Sequence, residues 1–311
     1  MKQRQFGSTG KFVSEIGLGA WQLGNVRDSE SMTENDAIAI VHKALELGCN
    51  FFDTAPNYGL GKSEEILGKA LKGKRDKVII SSKFGHHDND KLNFDPNEIE
   101  KSVDRSLKRL QTDYLDSVLL HNPPFENLNG NSQHFEVFEK LKRKGKIAAY
   151  GASVDSSKEM FEVIETTNSQ VIEVMFNIFH QETAMAFQAA HEKNIALVVK
   201  VPLDSGWLSG KYNSESTFTD IRSRWSPDII KRRTMMLEEI KNIVDSNQSL
   251  VKSALQFILA HPQVSTVIPG AKSTRQLQEN FSASEGSMDA KEVEQLKAIW
   301  EKHLKDNNLP W

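Results

Sequence analysis

Several side chains could together move a proton at a polar carbon–oxygen bond, and each follows a short apolar run. Asp53 comes after Phe51-Phe52, Lys83 closes Val78 to Lys83, His121 closes Tyr114 to His121 and Ser153 closes Ile147 to Ser153. Tyr58 stands five residues past Asp53, in a loop able to fold back toward Lys83. Reduction of a carbonyl needs a hydride donor and an acid that protonates the developing alkoxide. A free phenol, with a pKa of ~10, keeps its proton at neutral pH but gives it up reluctantly. A neighbouring ammonium favours the phenolate, so Lys83 is expected to depress the Tyr58 pKa. Asp53 would hold Lys83 charged, and His121 would hydrogen-bond the substrate oxygen and share in proton delivery. Taken singly, each residue has an ordinary reading: a buried ion pair, an interior histidine, a loop aromatic. Their recurrence at the ends of successive apolar runs points to a built site.

The elements that must position them alternate along the whole chain. Strand-like runs at 16–19, 51–53, 78–83, 114–121, 147–153, 171–177, 196–201 and 264–269 are separated by helical stretches. These include 36–47, 63–71, 96–110, 135–144, 157–166 and 183–193. Ile99, Val103, Leu107 and Leu110 recur at helical spacing, while Gly48 and Gly145 follow helices as left-handed stops. Ser63, followed by two acids, reads as a capped helix start. Eight strand–helix units predict an α/β fold, a (β/α)8 TIM barrel in which strand C-termini line the mouth. Residues 5–13 read as an N-terminal β-hairpin, 204–249 as a long loop after strand seven, and 289–304 as an extra C-terminal helix. No low-complexity linker divides the chain, which is read as a single domain over 1–311.

Composition narrows the function. With 311 residues, a net charge of -3 and basic runs such as Lys142-Arg143-Lys144 confined to helix ends, there is no nucleic-acid footprint. No apolar run approaches the ~20 residues that cross a bilayer. The N-terminus leads into no secretory h-region, and the lone Cys49 forms no intramolecular disulfide, so the expectation is cytoplasmic. No metal is expected: His86-His87-Asp88 reads as a solvated turn. That disfavours a barrel isomerase or metal-dependent aldolase. Gly17-Leu18-Gly19 lacks the third glycine of a dinucleotide fingerprint, and Pro56 occupies the first-glycine position of a P-loop ending Gly61-Lys62-Ser63. Two other segments suit anions. Residues 204–211 carry glycines through which backbone amides can approach phosphate, plus Lys211. Lys272-Ser273-Thr274-Arg275 opens a helix, and its two cations suit a 2′-phosphate, hence NADPH rather than NADH.

In order and spacing, Asp53-x4-Tyr58, Lys83 within Ser81-Ser82-Lys83-Phe84-Gly85, and Leu120-His121-Asn122-Pro123 resemble the catalytic tetrad of the aldo-keto reductases. The resemblance spans essentially the whole chain. It implies NADPH-dependent reduction of a small-molecule carbonyl, with Tyr58 as proton donor. Gly17-Leu18-Gly19-Ala20-Trp21 is similar to the family's first strand, which implies cofactor contacts at Gly19, Ala20 and Trp21. The segment 202–211 resembles its pyrophosphate loop, implying Pro202, Leu203, Ser205, Gly206, Leu208 and Lys211. The adenosine-phosphate segment carries over to Gly270, Lys272, Gln276, Glu279 and Asn280. The resemblance also implies that Ser153 and Glu173 hold the nicotinamide amide. Here the sequence departs from the pattern: Val154 replaces an Asn, Glu173 a Gln, and Lys200 stands near the place of a stacking aromatic. A carboxylate accepts from an amide NH2 but cannot donate to its carbonyl. Trp21, Phe84 and Phe125 are expected to line the substrate pocket. The same barrel also resembles the potassium-channel beta subunits, so a cofactor-binding regulatory or redox-sensing role is the alternative. Neither substrate nor oligomeric state is readable from the sequence.

Overall fold

The computed structural model describes residues 1–24, 32–89 and 91–310. Strands β1 (Gln3–Gln5) and β2 (Phe12–Ser14) form an antiparallel hairpin around a tight turn at Gly7–Thr9. The hairpin therefore begins two residues before the expected span. The next eight strands are all parallel: β3 (Leu18–Gly19), β4 (Phe51–Asp53), β5 (Ile79–Phe84), β6 (Leu115–His121), β7 (Ile147–Val154), β8 (Val171–Met175), β9 (Ala196–Lys200) and β10 (Val264–Val267). Each pairs with its neighbour in chain order. Bridges Ile16–Val267 and Gly19–Gly270 join the last strand to the first, and the Gly17 amide donates to Val267 O at 2.8 Å. The sheet is thus a closed (β/α)8 barrel.

Helices α1 (Glu34–Glu46), α2 (Lys62–Ala70), α3 (Ile99–Leu110), α4 (Gln133–Arg143), α5 (Ser157–Thr166) and α6 (Phe187–Glu192) follow β3 to β8 in turn. The insertion after β9 carries α7 (Pro227–Lys241) ahead of α8 (Leu250–Leu259). Helix α9 (Thr274–Phe281) follows β10, and α10 (Ala290–His303) ends the fold. The Ser63 cap is corrected. Gly61 caps α2 in the left-handed conformation (φ 92°), and Ser63 lies inside the helix, donating to Ala20 O at 2.8 Å.

Alternation along the strands sorts side chains into two cores. Phe51, Ile79, Leu119, Ala149, Val171, Ala196 and Val198 face inward and pack on Phe6, which plugs the N-terminal end of the barrel. Phe52, Ile80, Phe84, Val118, Leu120, Val154, Ile172 and Val199 face the helices. Because successive strand residues point to opposite faces, two steps beyond each inward apolar residue the chain again points inward, now toward the mouth. Phe51 leads to Asp53, Leu119 to His121, Val171 to Glu173 and Val198 to Lys200.

Candidate active site

At the mouth, Lys83 is fully enclosed. Its Nζ lies 2.6 and 2.7 Å from the Asp53 carboxylate oxygens, 3.1 Å from Thr54 O and 3.2 Å from Glu173 Oε2. Burial alone would lower the lysine pKa, but Asp53 and then Glu173 reverse the effect and hold the ammonium well above its ordinary range. Asp53 is pushed up by burial and by Glu173, against the pull of Lys83. Tyr58 folds back as expected, with its ring centroid 5.3 Å from Lys83 Nζ and 6.0 Å from the His121 ring, edge to face. The Lys83 charge favours the phenolate form of Tyr58. Carboxylate, ammonium, phenol and imidazole from four segments converge.

Two electrostatic expectations are corrected. Burial raises the Tyr58 pKa above the ordinary phenol range, and the opposing pull of Lys83 is weakened by Asp53 and Glu173. His121 is held well below its ordinary value by burial, then by Lys83, His86 and Lys200. It is therefore a neutral imidazole at neutral pH. Its Nδ1 is buried without a hydrogen-bond partner among the described residues.

Ser153 pairs in register with both His121 and Glu173. Its Oγ donates toward Glu173 Oε1 at 3.1 Å and accepts from Lys200 Nζ at 2.8 Å. Lys200 also reaches Asn122 Oδ1 at 2.8 Å and Asp155 Oδ1 at 2.9 Å. Val154 faces the helix layer. Lys200 therefore occupies the region with a charged network.

Phe84 does not line a pocket. Being one residue past the inward-facing Lys83, it points outward and packs against Phe94 and His134. Trp21 and Phe125 are 38% and 39% exposed, in the loops after β3 and β6, and remain available at the mouth. The solvated turn at His86-His87-Asp88 is also corrected. His86 lies 4.4 Å from the His121 ring, His87 is buried with Nε2 3.0 Å from Asn93 O, and Asp88 pairs with Arg109 at 2.7 Å. His86 is a site neighbour that the sequence pattern missed, since its position in a loop carries no periodic signal. No group of metal-ligating side chains occurs among the described residues.

The two anion segments are built differently from each other. In 204–211, Ser205 and Gly206 adopt left-handed conformations (φ 52° and 96°), and Asp204 is locked to Arg233 of α7 at 2.9 Å, both fully buried. The Gly206 and Leu208 amides donate to Leu203 O at 2.8 and 3.2 Å. Contact through those two amides is therefore corrected: they hold the turn. Pro202 and Leu208 are buried, while Ser205 and Lys211 stay accessible. At α9, Ser273 caps the helix by accepting from the Gln276 amide at 3.2 Å. The Gln276 side chain accepts from the Lys272 amide at 2.8 Å, and Asn280 Nδ2 donates to Gly270 O at 3.1 Å. Glu279 is half-buried one position before it. Arg275 is exposed in the first turn. Gly19 and Ala20 are buried, and a Cβ on Gly19 would fall 2.7 Å from Ile268 O, so only backbone is offered there. Gln22 Oε1 and Asn57 Oδ1 are buried and without hydrogen-bond partners among the described residues. The accessible cations of these segments suit a phosphate-bearing dinucleotide.

The model of the aldo/keto reductase family matches residues 15–301. The chain belongs to the aldo-keto reductase family. This aldo-keto reductase is 32% identical over 292 residues, 91% of each chain, to the uncharacterized oxidoreductase YqkF of Bacillus subtilis. It is 30% identical to the L-galactose dehydrogenase of Arabidopsis thaliana, over 99% of this chain and 96% of the other. The holo form of aldo-keto reductase AKR11C1 from Bacillus halodurans superposes with a TM-score of 0.82 at 31% identity, covering 97% of this chain and 99% of that one. No described helix of this aldo-keto reductase is long and apolar enough to cross a membrane.

Proposed function

We propose that this aldo-keto reductase reduces the carbonyl of a small aldehyde or ketone to an alcohol, using NADPH, with Tyr58 as the proton donor. The observation that carries the reading is the convergence of Tyr58, Lys83, Asp53 and His121 at the barrel mouth. When bound, NADPH supplies the hydride. The neutral His121 orients the carbonyl oxygen beside Tyr58, the Lys83 charge favours release of the phenol proton, and Asp53 keeps Lys83 charged. The phenol O–H then passes its proton to the alkoxide, and its raised pKa ensures that the proton is present at neutral pH. Trp21 and Phe125 would shield the site from water. Lys272 and Arg275 beside the capped end of α9 favour a 2′-phosphate.

The test is Tyr58→Phe. Reduction should vanish while quenching of tryptophan fluorescence by NADPH persists; undiminished turnover would refute the donor role. Parallel titration with NADH should show weaker binding, and equal affinity would remove the argument for a 2′-phosphate site. The 29% identity to a probable voltage-gated potassium channel subunit beta of Arabidopsis thaliana supports one second reading, a cofactor-binding regulatory or redox-sensing protein. Cofactor binding without turnover across a broad carbonyl panel would support it.

A further inference from the structure

A histidine that must aim one ring nitrogen at a reacting group is ordinarily fixed by a hydrogen bond to the other. His121 has no such anchor, because no described residue is hydrogen-bonded to its buried Nδ1. A second imidazole lies against it instead. The His86 ring is 4.4 Å from the His121 ring between centroids and tilted by 33°, while Tyr58 meets His121 edge to face at 6.0 Å. The residues around His86 are fastened on both sides. The Asn93 amide donates to Gly85 O at 2.9 Å and the His87 amide to Lys91 O at 3.0 Å. Helix α3 then grips the two residues after His86: Arg105 reaches His87 Nδ1 at 3.3 Å, and Arg109 pairs with Asp88 at 2.7 Å. Arg109 also pairs with Glu64 of α2 at 2.7 Å, and Glu64 accepts from Ser82, the neighbour of Lys83, at 2.6 Å. A ring carried on a support locked in this way can hold a neighbour within narrow geometric limits.

We propose that His86 is a positioning residue, which fixes the ring plane of His121 by stacking on it and so aims the His121 ring at the substrate oxygen. The inference rests on His121 orienting the carbonyl. Without the His86 ring, His121 would keep its place at the end of β6 but lose the surface that sets its rotation about the Cβ–Cγ bond. A misplacement of ~1 Å in a reacting group costs roughly a hundredfold in rate, so His86→Ala should lower kcat about tenfold to a hundredfold. NADPH binding should stay close to that of the parent. The stack needs a flat ring and no ring nitrogen, so His86→Phe should recover most of the loss.

Two measurements test this on the full chain. The first is nuclear magnetic resonance of the cofactor-free protein, with the His121 ring protons assigned as the signals missing from His121→Gln. In the parent they should be sharp and show Overhauser contacts to the His86 ring. In His86→Ala they should shift and broaden as the ring samples several orientations, and in His86→Phe they should stay sharp. Unmoved, sharp His121 signals in His86→Ala overturn the proposal, as does a parent spectrum without contacts between the two rings, which needs no variant at position 86. The second is a double-mutant cycle on kcat with His86→Ala and His121→Gln. Acting through His121, His86 should cost little more once His121 is gone, so the two losses should be strongly non-additive. Additive losses would mean that His86 works by itself, and would overturn the positioning role. The resonance measurement needs no turnover, so it stands even if Tyr58→Phe shows that Tyr58 is not the donor.

Discussion

Replacing Lys83 with methionine removes a cation that Asp53 and Glu173 both face, at 2.6 and 3.2 Å, without leaving a large cavity. Two buried carboxylates with no cation between them cannot both ionise freely, so the variant takes up one proton and buries a single uncompensated negative charge. Breaking a buried ion pair from one side costs about 3–5 kcal/mol. For a chain of this size, roughly 2 °C of melting temperature follows each kcal/mol, so a fall of about 6–10 °C is expected near pH 8. The deficit must depend on pH with a definite sign. In the variant the remaining carboxylate has a folded pKa raised above its unfolded value of ~4.3, so the folded state binds more protons than the unfolded one. Stability is then present at low pH and lost as pH rises through the folded value, by up to about 1.4 kcal/mol per unit. Urea unfolding followed by tryptophan fluorescence at pH 8 and pH 5.5 measures both quantities. A loss below about 1 kcal/mol at pH 8, or the same loss at both pH values, would refute the buried-charge reasoning.

Other consequences are equally specific. Gly59 has φ +59°, and a Cβ there would fall 1.6 Å from Gly24 O, so Gly59→Ala should displace the loop carrying Tyr58. It should cost about 1–3 kcal/mol in melting experiments and at least about tenfold in reductase rate, whereas near-parental values in both would contradict the strain argument. Burial pushes the Cys49 thiol up to about 12, so Ellman's reagent should leave the native protein unlabelled and react once urea unfolds it. His86, His121, His134 and His261 are all lowered, first by burial. Their neutral forms stabilise the fold above the unfolded histidine value of ~6.5, and that contribution disappears as pH falls below it. The urea midpoint should therefore drop between pH 7 and pH 5, and drop less in His121→Gln; equal drops would count against a buried neutral His121.

Much of the architecture was legible because strand alternation and helix periodicity are local. The eight strand–helix units, the hairpin, the insertion after β9 and the last helix all follow from spacing along the chain. So does the placement of Asp53, Lys83, His121 and Ser153 at one rim, because strands that end in polar residues must end them at a mouth. Phe84 shows the limit of this reading. One step along a strand reverses the face, and its outward direction depends on which neighbour points inward.

The sequence by itself determined which chemical groups reach the mouth, since that depends on side-chain type and on a period of two. Only the tertiary structure decided how those groups act on one another. Glu173 lies ninety positions from Lys83 by the numbering, and nothing local to either announces their contact. The same holds for His86 beside His121 and for the Gly206 and Leu208 amides turned toward Leu203 O. The sign of the Tyr58 shift required the sum of burial, one ammonium and two carboxylates. Electrostatic effects add through space, with weights set by distance and solvent exclusion, and a chain acquires both only when it folds.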